Sequence, residues 1–167
     1  DAYNTAVGAG AGQAVTTGLA NTLIGGRSGD ALTDADYNVA IGESSLTSDT
    51  LGSRSVAIGF SALGNQNFTT ATNSNNVAVG YAVAGDALTT GTTNVAVGIS
   101  ALGSDTLGSL SVAIGRRALL TQNFTTATNV YNVAVGASAG QSVTTGILNT
   151  LIGSLAGDAL TDADYNT

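Results

Sequence analysis

Eleven acidic side chains against four basic ones give this chain a formal net charge of -7. Their spacing is the first place to look for chemistry. Asp30, Asp34 and Asp36 crowd one short stretch, and Asp158, Asp162 and Asp164 repeat it near the C-terminus. Clustered carboxylates can hold a hard cation such as calcium. The spacing lacks the distal bidentate Glu of an EF-hand loop. The favoured reading is therefore a solvated acidic edge that opposes aggregation. No metal or other cofactor is expected, and these six aspartates would be the ligands if a cation bound. Ser and Thr are plentiful, but with no His and no Lys no hydroxyl has an obvious activating base. Paired carboxylates come with no sign of the pocket a glycosidase needs. Gly8, Gly10 and Gly12 resemble a phosphate loop, but no helix follows to complete it. Arg27, Arg54, Arg116 and Arg117 are too few for a nucleic-acid surface. An enzyme is not expected.

The elements that would position any such residue repeat along the chain. A five-residue pattern, typified by Asn76-Val77-Ala78-Val79-Gly80, starts at Asn4, Asn21, Asn38, Ser55, Asn76, Asn94, Ser111, Asn132 and Asn149, and begins again at Asn166. Successive starts lie 17 to 21 residues apart. Such a period decides the fold before any other signal is read. The second residue is Val or Thr and the fourth Val or Ile, which is β-strand alternation. The third is Ala, or Leu at Leu23 and Leu151. Gly in fifth place lets the chain turn, and Asn at the head suits a corner where its amide bonds the local backbone.

A second column supports one unit per coil. Thr16, Thr33, Thr50, Thr106, Thr144 and Thr161 all stand twelve residues after a pattern start, and Thr89 is equivalent in an 18-residue unit. Registration of this kind is expected when units stack directly on one another. Varied neighbours such as Thr17, Asp34 and Leu51 argue against a flat ice-binding array and for an internal hydroxyl ladder. The reading is all-β: a parallel β-solenoid (β-roll or β-helix) of about nine coils. Residues 1–167 form a single repetitive segment, in blocks 4–75, 76–131 and 132–167, without a domain boundary. Matching phases at Tyr3-Asn4-Thr5 and Tyr165-Asn166-Thr167 suggest a slice of a longer fibre. No apolar run is long enough to insert in a membrane.

Strand parity gives an expectation about faces. Val39, Ile41, Val56, Ile58, Val77 and Val79 should point inward, within their coil or a trimer core, with the small third residue on the outer face. Burial of so few large side chains falls short of the ordering cost of each coil. A parallel homotrimer with closely approaching Ala-rich faces is therefore favoured over a single-chain rod.

The segments "NTAVGAGAG", "NVAIGESSL", "NVAVGISAL" and "NTLIGSLAG", joined by "TTG"-type stretches, resemble the repeat regions of phage and prophage tail fibres. "SVAIG" is also similar to the head repeats of YadA-like trimeric autotransporter adhesins, although the period here is longer. The resemblance covers essentially the whole chain. It implies a trimeric shaft or adhesive role without catalysis, at a virion tail or a cell surface. Three functions follow as alternatives: a phage-type shaft projecting a host-attachment tip, an adhesin whose repeats contact a surface glycan or protein receptor, and a receptor-free filament or surface-layer subunit.

Two units carry four extra residues, around Gln66-Asn67-Phe68-Thr69 and Gln122-Asn123-Phe124-Thr125. A coil of fixed circumference must expel them as loops. Phe68 and Phe124 are then candidate surface anchors for a glycan ring or protein. The favoured alternative is that each folds back to cap a neighbouring coil or seal the trimer seam, because an isolated exposed Phe lowers solubility.

Overall fold

The computed structural model describes residues 2–84 and 87–167. Nine three-residue strands, from Thr5–Val7 to Thr150–Ile152, stack in chain order as one parallel sheet. Each strand is the middle of one five-residue pattern, and neighbours pair residue for residue, as Val39 with Val56 and Ala40 with Ala57. The chain is thus a β-solenoid of nine coils, with no helix among the described residues. At roughly 4.8 Å per coil the rod is about 43 Å long. Only the two long coils break the rule: Gly52–Ser53 pairs with Thr72–Asn73, and Gly108–Ser109 with Thr128–Asn129, in two small separate sheets.

Between strands, each coil turns on backbone conformations that side chains resist. The glycine ending each pattern has φ between 121° and 141°. A Cβ on Gly25, Gly42 or Gly115 would overlap the carbonyl of the corresponding glycine in the next coil. Three further positions per coil are left-handed even where the residue is not glycine, as at Tyr37 (φ 59°), Ser44 (φ 56°) and Leu46 (φ 52°). Such residues resist this region. Stacking holds them there: Tyr37 donates its N–H to Leu19 one coil back, Ser44 to Gly26, and Leu46 to Ala62 one coil ahead.

The strand faces are the reverse of the expectation. Ala40, Ala57, Ala78, Ala96, Ala113 and Ala134 are fully or almost fully buried, whereas Val39, Ile41, Val56, Ile58, Val77 and Val79 are only half-buried and point outward. The cause is space. The interior already holds Leu32, Leu46, Leu63, Leu88, Leu102 and Leu119 from the opposite wall, so the strand can contribute little more than a methyl group. Where the strand does bring Leu inward, the wall retreats to glycine. Leu23 lies against Gly12 and Gly29, and Leu151 against Gly140 and Gly157; a Cβ at any of the four would stand within 3.0 Å of the leucine side chain. Side-chain volumes thus compensate across the core, as close packing demands.

Candidate functional surfaces and the buried polar network

Apart from the exposed Asn4, the asparagines that head complete patterns do not sit at solvent corners. Asn21, Asn38, Asn94, Asn132 and Asn149 are buried, and each works between coils. Asn21 Oδ1 accepts the N–H of Asn38, Asn38 Oδ1 that of Ser55, and Asn94 Oδ1 that of Ser111, all at 2.9 Å. The amide nitrogen reaches across its own coil: Asn21 Nδ2 donates to Ala35 O at 2.7 Å and Asn38 Nδ2 to Gly52 O at 3.0 Å. An amide is used because one side chain must both accept and donate. The result is an internal ladder with no unpaired buried side-chain polar atom among the described residues.

The long coils change this chemistry. Each is headed by Ser, and a glutamine takes over the amide role. Gln66 Nε2 donates to Ser55 Oγ at 3.0 Å and to Asp49 Oδ2 at 2.5 Å, while Gln66 Oε1 accepts from Asn76 Nδ2 at 2.8 Å. Asp49 Oδ1 accepts from the backbone of Gly52 and of Phe68. Three coils on, Asp105, Gln122, Ser111 and Asn132 repeat the set, with Gly108 and Phe124 as backbone donors. Burial pushes the Asp105 carboxyl above its ordinary value, against the opposing pull of the donors from Gln122, Phe124, Gly108 and Thr106. These residues were not singled out as sites from the sequence. The available signal was that Ser heads only the coils containing Gln-Asn-Phe, each preceded by a coil carrying Ser-Asp-Thr-Leu-Gly-Ser.

Phe68 and Phe124 are not surface anchors: they are 5% and 8% exposed. The Phe68 ring lies beneath Gly52, where a Cβ would come within 2.8 Å of Cδ2. The exposed loop residues are Thr69, Thr70 and Ala71, and Thr125, Thr126 and Ala127. The folded-back alternative describes both phenylalanines.

Each trio of aspartates lies on a single coil, and five of the six accept hydrogen bonds. Asp30 accepts from Thr47 Oγ1, Asp34 from Thr17 Oγ1, and Asp36 from the Leu19 backbone, each from an adjacent coil. Asp164 accepts from the Ile147 backbone and Asp162 from Thr161 Oγ1, while Asp158 is exposed. No group of three or more potential ligands converges on a cation position among the described residues. The threonine column is a hydroxyl ladder, Thr33 Oγ1 donating to Thr50 O and Thr50 Oγ1 to Phe68 O. It lies at the half-exposed surface rather than inside. No pocket opens among the described residues.

What the rod presents instead is a continuous apolar face. Apart from Thr5, Thr22 and Thr150, every outward strand position is Val or Ile. Ile24 and Ile114, each on a strand with a neighbour on both sides, are 37% exposed. No helix is long and apolar enough to cross a membrane among the described residues. No protein-family model, no curated protein and no solved structure matches this chain.

Proposed function

We propose that this chain is a structural shaft, the segment of a phage-type tail fibre that holds a host-attachment tip away from the virion. The observation that carries the reading is the outward strand face, Val or Ile at every position except Thr5, Thr22 and Thr150, on a rod with no pocket among the described residues. Three residues at roughly 3.3 Å across and nine coils at roughly 4.8 Å along give a stripe of about 430 Å². A footprint of that size lies in the range of the largest apolar patches of single chains, about 300–600 Å², which are often functional, and its extension along the whole rod fits further copies of the same chain. The family resemblance supports three parallel copies, now meeting through β-branched residues rather than alanines. The same shaft would serve a cell-surface adhesin of the trimeric autotransporter type.

Ile58→Asp with Val79→Asp tests the reading. Both positions face outward, so the coils should keep their β-sheet circular dichroism while light scattering shows the trimer mass lost. A wild-type chain that is folded and monomeric at micromolar concentration would overturn self-association. An unfolded double variant would mean that the face belongs to the chain's own core.

A further inference from the structure

Beside the Val/Ile face, just past the turn-forming glycines, runs a column of one residue per coil: Ala9, Gly26, Glu43, Phe60, Tyr81, Ile99, Arg116, Ala137 and Ser154. Backbone bonds keep it in step, with Phe60 O accepting from Ala82 N, Tyr81 O from Ser100 N and Ile99 O from Arg117 N. Its middle is exposed and apolar. Phe60, Tyr81 and Ile99 are 45%, 58% and 52% exposed, and the Phe60 and Tyr81 rings stack at 5.3 Å with 13° between their planes. Its charges are exposed and far apart: Glu43 and Arg116 lie four coils, roughly 19 Å, from each other. That exceeds a Debye length at physiological salt, so they cannot neutralise each other within one chain.

The order of residues is symmetric about Tyr81, which stands on the fifth of the nine coils. One coil away on either side is a large apolar residue, Phe60 or Ile99. Two coils away the charges are opposite, Glu43 against Arg116 with Arg117 beside it. Three and four coils away both sides are small, Gly26 and Ala137, then Ala9 and Ser154. A column of this kind matches itself under a two-fold axis perpendicular to the rod. We infer that this edge is a docking surface for a second copy of the chain running antiparallel, with Glu43 against Arg116 and Arg117 of that copy and Phe60 against its Ile99. The uniform coil spacing lets all heights match at once, and the contact is isologous and closed. A parallel neighbour would set Glu43 against Glu43 and Arg116 against Arg116, which is repulsive. The column is therefore unsuited to the parallel contact of the shaft and suited to side-by-side pairing of shafts of opposite polarity.

The chain contains no cysteine, so introduced thiols are the only ones present. Phe60→Cys mixed with Ile99→Cys should cross-link through a short bis-maleimide at least about tenfold more than Phe60→Cys alone. Glu43→Arg should abolish the pairing in low salt, and Glu43→Arg combined with Arg116→Glu should restore it, because like-charge contact disfavours and opposite-charge contact favours docking. Phe60→Cys linking to itself as readily as to Ile99→Cys would overturn the antiparallel assignment, as would a Glu43→Arg variant that pairs normally. These substitutions leave the Val/Ile face intact. Failure here with trimer mass retained therefore sinks the edge pairing alone, and loss of trimer mass in the Val/Ile variants sinks the shaft contact alone.

Discussion

A plain coil such as 38–54 and the long coil 55–75 that follows it satisfy the same backbone with different side chains. In the plain coil one asparagine, Asn38, accepts the next coil's N–H and donates across to Gly52. In the long coil the chain leaves its circuit at Thr69, so the residue that would receive the cross-coil bond is displaced. The head is reduced to Ser55, and Gln66 reaches in from the opposite wall to supply the amide. The space above is filled by the Phe68 ring and the buried Asp49. An insertion in a solenoid is therefore more than a loop. It requires a coordinated exchange at the head, at the wall and in the coil before it, and coils 94–110 and 111–131 make the same exchange.

The comparison breaks hardest at the ring. Phe68→Ala should cost about 3–5 kcal/mol, because it empties a packed site next to a buried carboxylate. Thr70→Ala, two residues along in the exposed loop, should stay within about 0.5 kcal/mol. Chemical denaturation of the two variants measures the gap directly. Equal losses would mean that the loop, not the ring, closes the coil.

A smaller loss is expected from the amide. Gln66→Ala removes the donor to Asp49 and Ser55 and the acceptor for Asn76, and should cost about 2–4 kcal/mol. Asn94→Ala in a plain coil strips the acceptor from the Ser111 N–H and the donor to Gly108 O, and should cost about 1–3 kcal/mol. A larger loss at Asn94 would reverse the proposed ranking of the two coil types.

How much of this could be read in advance depends on what each residue reports. Period, strand position and stacking were legible because glycine and asparagine mark backbone demands, and those demands recur in every coil. Strand parity was not. Hydrophobicity favours placing Val39 and Ile41 inside and Ala40 outside, and only the leucines on the opposite wall, Leu46 and Leu63, reveal that there is no room. The glycine–leucine exchange at Leu23 and Leu151 was visible as a covariation between coils, but it carries meaning only once the facing positions are known. Asp49 and Gln66 lay outside any strand pattern. Their pairing depends on a contact between coils 17 residues apart, in a part of the coil where the sequence is not periodic.

The subtlest difference between coil types is a dependence on pH. Asp105 is buried within the polar network, and removal from water raises its carboxyl above the ordinary value of 3.8 despite four hydrogen bonds that favour the anion. The folded chain then binds this proton at a higher pH than the unfolded chain does. Stability from this group is fully present below 3.8 and is lost as pH rises through the raised value. Asp105→Asn carries no titrating proton and should remove that segment of the slope, while keeping an oxygen for the Gly108 and Phe124 N–H groups. Urea midpoints at closely spaced pH values for wild type and Asp105→Asn provide the measurement. The two curves should converge toward acid and separate as pH rises through the Asp105 titration, with wild type falling relative to the variant. Wild type rising relative to the variant over that window would show that the donors from Gln122, Phe124 and Gly108 outweigh burial, and that the long coil is built around an anion.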